Sequence, residues 1–214
     1  MKKILFLFSF CAILLIGCDK EISLVLDDNE PVLVIDGSIT DHAGPYFVQL
    51  SMSTPVGNPT RVVGVNNARV IITDQLGVKD SLVLVGNGLY QTQKIKGTEG
   101  GVYNLEVMVD QKKYTASANM PQKVNFDSLR VNTFPFNGEI RYSVIPVYAD
   151  PIALGDSYRF IQKINDTLDP TFHVFNDNLN NGKVNQRPLR SGDDNLKIKP
   201  RDQVFVEMQC ISNT

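Results

Sequence analysis

Tyr103-Asn104-Leu105-Glu106-Val107-Met108-Val109, Asp110-Gln111-Lys112-Lys113 and Tyr114-Thr115-Ala116-Ser117-Ala118 follow one another without a break. Apolar and polar side chains alternate strictly along the first arm, the period of a strand with one buried face. The polar tip then turns the chain into a second arm of the same character. This stretch predicts an antiparallel hairpin, and no helical periodicity competes with it.

Upstream, the same signal repeats. Val32-Leu33-Val34-Ile35-Asp36-Gly37-Ser38-Ile39-Thr40 is dense in β-branched residues and predicts a strand buried on at least part of both faces. Asp41-His42-Ala43-Gly44-Pro45 turns it into Tyr46-Phe47-Val48-Gln49-Leu50-Ser51-Met52. Ala68 to Asp74, Lys79 to Leu84 and Tyr90 to Thr92 predict further strands. Roughly seven strands, with turn signals about every 8–12 residues, have the spacing of an immunoglobulin-like β-sandwich. We expect that sandwich over residues 31–120. A core Trp and a bridging Cys pair, as in antibody domains, are absent: the chain has no Trp and three Cys.

Downstream of Met120-Pro121-Gln122-Lys123 the chain predicts a second β-rich domain, residues 121–214. Val124 to Val131 and Ile140 to Asp150 read as long strands, the latter with Pro146 at an edge or bulge. Tyr158 to Ile164 and Gln203 to Met208 add two more. Between Asn165 and Pro200 runs a long polar region with one apolar knot, Phe172-His173-Val174-Phe175. A connection of that length binds something or carries short elements of its own. The chain stops soon after an apolar strand, so the second domain is expected to be C-terminally incomplete.

The amino terminus sets the compartment. Met1-Lys2-Lys3 precedes the apolar run Ile4 to Ile16, which is too short for a membrane anchor and ends in Leu15-Ile16-Gly17-Cys18. Residues 1–17 read as a secretory signal, and the last four residues resemble the lipobox of bacterial lipoproteins. Cys18 is then the lipidated first residue of the mature chain, followed by a tether over residues 18–30. Attached acyl chains contribute about 0.8 kcal/mol per buried methylene, so more than one holds the protein stably at a membrane. Without residues 1–17, 19 Lys and Arg face 23 Asp and Glu, a net charge of about −4. That balance, with no basic run interleaved with aromatics, argues against nucleic acid as a partner. Only Cys210 remains once Cys11 is removed and Cys18 is acylated, so the mature chain has no internal disulfide.

Several points together resemble the Bacteroidota lipoproteins grouped as domain of unknown function 4249. They are the signal with Cys18, Pro31 to Thr40, Gly44-Pro45-Tyr46-Phe47-Val48-Gln49-Leu50-Ser51, Ala68-Arg69-Val70 and Gly101-Val102-Tyr103-Asn104-Leu105. Asp156-Ser157-Tyr158-Arg159-Phe160 and the loop from Phe175 to Gly182 extend the likeness over essentially the whole mature chain. The resemblance implies structural signatures and no catalytic set. It also implies an accessory place beside a TonB-dependent outer-membrane receptor. In the same lipoproteins, Lys20 between Asp19 and Glu21 resembles a signal for the outer face of the outer membrane. Orientation, outward or toward the periplasm, stays open.

Residues suited to chemistry are few. Counted from Asp177, an EF-hand loop would place Gly182 correctly, but Leu179 and Pro188 stand where oxygen ligands are needed. The only imidazoles, His42 and His173, lie far apart in sequence with no Cys partners for zinc. No Gly-x-Ser-x-Gly elbow is present. Asp27-Asp28 and Asp193-Asp194 read as solvated turns. Asp80-Ser81-Leu82, Asp127-Ser128-Leu129 and Asp166-Thr167-Leu168 resemble the O-glycosylation acceptor of exported Bacteroidota proteins, with Ser81, Ser128 and Thr167 as acceptors. The expectation is a non-catalytic outer-membrane lipoprotein without a cofactor, whose β domains present loops to a partner. The alternative is an envelope hydrolase with its site in the 165–200 region. A His clustered with Ser and a carboxylate at a pocket floor favours the enzyme, and an open, shallow loop face favours the binder.

Overall fold

The computed structural model describes residues 30–54, 63–178 and 181–213, and the regular structure within them is β throughout. The first nine strands are β1 (Leu33–Gly37), β2 (Phe47–Met52), β3 (Val63–Gly64), β4 (Arg69–Asp74), β5 (Lys79–Ser81), β6 (Val83–Gly86), β7 (Leu89–Gln91), β8 (Val102–Val109) and β9 (Lys112–Asn119). They form two sheets, ordered β1-β2-β7-β6 with β3 beside β2, and β5-β4-β8-β9. In immunoglobulin lettering this is A-B-E-D in one sheet and C-F-G in the other, with β5 added beside C. The hairpin around Asp110 is the F–G pair, in register from Val102↔Asn119 to Val109↔Lys112.

Alternation places the core. Val48 and Leu50 of β2, Val70 and Ile72 of β4, Tyr90 of β7 and Val107 of β8 meet between the sheets, with Leu50 0% exposed. β1 departs from expectation. It runs only from Leu33 to Gly37, and its side chains are exposed or half-buried, because it is the outer strand beside β2 with no strand on its far side among the described residues.

The E–F connection is fixed by a tyrosine corner, an immunoglobulin feature that the sequence reading did not single out. The buried Tyr103, at the start of β8, accepts the Thr98 amide on its hydroxyl at 2.7 Å and donates to the Lys96 carbonyl at 3.1 Å. Tyr46 makes a second tie, donating to the His42 carbonyl at 2.7 Å and accepting the Gly97 amide at 2.8 Å. Gly97 cannot be larger, since a Cβ there would lie 1.8 Å from the Thr40 carbonyl oxygen.

The remaining strands are β10 (Ser128–Phe136), β11 (Glu139–Val147), β12 (Ser157–Ile164), β13 (Thr167–Leu168), β14 (His173–Asn176) and β15 (Val204–Ile211). β12 is central to one sheet, with β15 along one edge and β13 and β14 along the other. β10 and β11 form a nine-residue ribbon closed at Asn137-Gly138, both with positive φ as a type I′ turn requires. Among the described residues, no strand ladder joins 33–119 to 128–211.

The long polar region is not a free loop. β13 and β14 lie within it, Leu189 and Ile198 make single bridges to Val144 and Tyr142 of β11, and Val184 bridges Ala149 just beyond that strand. Leu189 is 0% exposed and joins Val144, Tyr148, Tyr158, Phe160 and Val206 in a second core. Pro146 stands in an edge strand, since β11 has a ladder only with β10 among the described residues. It is buried, in regular register with Leu129, and its carbonyl accepts Asn185 Nδ2 at 2.8 Å. Its missing N–H faces the side where contact is by single bridges, so no ladder bond is lost.

Candidate functional site

The tip of the β10–β11 ribbon and residues 190–200 enclose a groove of about 220 Å³. Phe134, Ile140, Leu196, Ile198 and Pro200 supply its apolar surface, and Arg141, Arg190, Lys197 and Lys199 its cations. The strand period places Phe134 and Phe136 of β10 in register with Arg141 and Glu139 of β11. The Arg141 guanidinium lies 4.1 Å from the Phe136 ring centroid, and that of Arg190 lies 4.5 Å from Phe134. Asp194 Oδ1 bridges Arg141 Nη1 at 3.2 Å and Lys197 Nζ at 3.4 Å. Lys197 first, and Arg141 with it, hold the Asp194 carboxyl below its usual range. Arg141 Nε is buried with no acceptor.

Ser191 reaches the groove wall from a buried polar cluster. Its hydroxyl donates to Asp169 Oδ1 at 3.0 Å. Asp169 also accepts the Thr171 amide at 3.0 Å and Gln162 Nε2 at 2.9 Å, and His173 Nε2 stands 3.5 Å from its Oδ2. Burial pushes this carboxyl up, but the hydrogen bonds from Thr171, Ser191 and His173 outweigh it and hold it below the ordinary value. The 165–200 region therefore does bring together a Ser, a His and a carboxylate. Their order differs from that of a hydrolytic triad, where the imidazole stands between hydroxyl and carboxylate. Here the carboxylate stands between the other two, and the imidazole, 6% exposed, is packed into the interior.

Two further carboxylate sites brace the fold. Asp80, 1% exposed, accepts the amides of Gln93, Lys94 and Ile95 on Oδ2 at 2.8, 2.6 and 2.9 Å. Burial opposes its ionisation, yet these three donors hold the carboxyl below the usual range. In the other unit, Asp177 Oδ2 accepts the Gly155 and Asp156 amides, and Asp150 accepts the Tyr158 hydroxyl at 2.5 Å and the Gly182 amide at 3.1 Å. Burial first, then the charges of Asp150 and Asp177, push the Asp156 carboxyl up. No three His, Cys, Asp or Glu side chains among the described residues are placed to hold a metal ion.

Cys18 and its tether, through Asn29, lie outside the described residues. Ser81, Ser128 and Thr167 are described, and each is exposed on a strand, in β5, β10 and β13. The Asp before Ser81 is the buried Asp80, so that triplet has a structural reason to exist. His42 is exposed beside Asp41 at 3.8 Å, and no contact joins it to the buried His173. Cys210 is half-buried and accepts the Val124 amide at 3.4 Å, and burial pushes its thiol up, away from the reactive thiolate. The groove residues were not foreseen. Their sequence signal was Phe134 and Phe136 before Asn137-Gly138 and Glu139 and Arg141 after it, each pair at the two-residue strand period.

An immunoglobulin-ordered sandwich followed by a second layered β unit defines an all-β protein whose chemistry-bearing side chains mostly brace the fold. The family model described as Domain of unknown function (DUF4249) matches residues 19–212, and the chain belongs to that family. No curated protein and no solved structure matches the chain.

Proposed function

We propose that this chain is a non-catalytic lipoprotein of the bacterial outer membrane, tethered through a diacylglyceryl Cys18, whose β units present a binding face. The observation that carries the reading is Leu15-Ile16-Gly17-Cys18 behind a charged, apolar leader and ahead of an all-β body. The family likeness to Bacteroidota lipoproteins supports an accessory role beside a TonB-dependent uptake receptor. The open groove between the β10–β11 tip and residues 190–200 supports binding as the activity. A polar cluster in which Asp169 separates Ser191 from His173 supports a body without hydrolytic machinery.

Mass spectrometry of the processed amino terminus tests the anchor. The expected product begins at an acylated Cys18, and an unmodified Cys18 or a retained Met1 overturns the reading. Crosslinked pulldown from solubilised outer membranes tests the role, with an envelope receptor as the expected partner. The hydrolase alternative draws on the same Ser191 and His173, and labelling of Ser191 by a fluorophosphonate would establish it instead.

A further inference from the structure

The groove holds more cations than its own carboxylates balance. Arg141 and Lys197 share the single Asp194, which is 79% exposed, so that pairing contributes little to stability. Asp193 Oδ1 is engaged by the amide and side chain of Asn195. Arg190 and Lys199 make no ion pair among the described residues. Four cations against Glu139, Asp193 and Asp194 leave one positive charge in excess, on a chain whose formal net charge is −2.

The donors are also pre-set. A guanidinium resting on an aromatic ring has lost part of its side-chain freedom, while its in-plane N–H fork still suits a carboxylate. Arg190 on Phe134 meets that description. Beside it the wall is apolar, with Ile140 70% exposed and Leu196 and Ile198 along the same groove. Asp194 already shows what the site accepts, since one carboxylate oxygen lies between Arg141 and Lys197.

We propose that this groove binds a small amphipathic monocarboxylate. Arg190 and Lys199 hold its anionic head, with Arg141 and Lys197 alongside, and Ile140, Leu196 and Ile198 cover its apolar body. The one excess charge matches a monoanion. The volume, below the roughly 300–1,000 Å³ of drug-sized pockets, matches a ligand of one ring or a short alkyl chain. The proposal rests on the binding-module reading and names its ligand class.

The test is calorimetric titration of the detergent-solubilised full-length protein with benzoate, benzyl alcohol and inorganic phosphate. Benzoate is expected to bind with a Kd of about a millimolar, and the other two at least about tenfold more weakly. Arg190→Leu, at an exposed position that leaves the melting temperature unchanged, is expected to weaken benzoate at least about tenfold. Asp194→Asn, which frees Arg141 and Lys197, is expected to tighten it severalfold. Equal binding of benzyl alcohol, tighter binding of phosphate, no binding of benzoate, or an Arg190→Leu variant that binds as before each overturns the proposal. A protein that carries its lipid and captures an envelope receptor but ignores benzoate overturns this ligand class alone.

Discussion

Thr98 gives its amide hydrogen to the hydroxyl of Tyr103 at 2.7 Å, which fixes the path by which the chain crosses from the β7 sheet to β8. The same hydroxyl reaches the Lys96 carbonyl at 3.1 Å, so removing one atom leaves two backbone groups without a partner. Tyr103→Phe is expected to lower stability by about 1–3 kcal/mol while the ring stays packed. Urea unfolding should show a lower midpoint at an unchanged slope. An unchanged midpoint would mean that water replaces the hydroxyl at no cost.

Asp80 makes stability depend on acid. Its carboxyl is held below the ordinary value, about 4, so its contribution is complete above that value and is lost as pH falls through the folded one. Asp80→Asn is expected to cost about 1.5–3 kcal/mol at pH 7, the range for hydrogen bonds to a charged group. The gap between variant and parent should narrow below about pH 4. Equal gaps at pH 7 and pH 3 would show that the charge plays no part.

Asp156 carries the opposite sign. Its folded carboxyl is raised, so stability falls as pH rises from the ordinary value through the folded one. Asp156→Asn removes a charge that Asp150 and Asp177 repel and keeps the backbone amide that Asp177 accepts. The variant should gain roughly 0.5 kcal/mol or more at pH 7 and lose that advantage in acid. A loss of stability at neutral pH would contradict the like-charge account.

Leu189 stands in a stretch that composition marks as loop, yet it is as buried as Leu50 of β2. Leu189→Ala should therefore cost about 2–5 kcal/mol, the range for a core leucine, as read by chemical denaturation. A cost under 1 kcal/mol would place residues 184–198 outside the second core.

Much of the first unit was legible because one buried face per strand imposes a period of two, as in Tyr103, Leu105, Val107 and Val109. Turns were visible at Asp74 to Gly77 and at Asp110 to Lys113, whose tip adopts positive φ at Asp110 and Gln111 without a glycine, whereas the turn at Asn137-Gly138 was not read from the sequence. The tyrosine corner was not legible as such, since a Tyr at the start of a strand is also an ordinary core residue until its hydroxyl partners are known. Residues 165–200 were harder for a physical reason. Leu189 is held by a single bridge and by packing from distant strands, which leaves no local periodicity to read. The groove was hidden likewise, because Arg190 and Phe134 meet only after the chain has folded back.

Among the described residues, 184–198 meet β11 by bridges at Tyr142 and Val144 and meet Ala149 just beyond it, with no strand ladder between those points, whereas β12 is laddered on both edges. Deuterium should therefore enter the amides between those points well before those of β12, through openings that leave the rest of the unit intact. The wall of the groove would then breathe on its own, and an occupant lodged against it would slow that exchange.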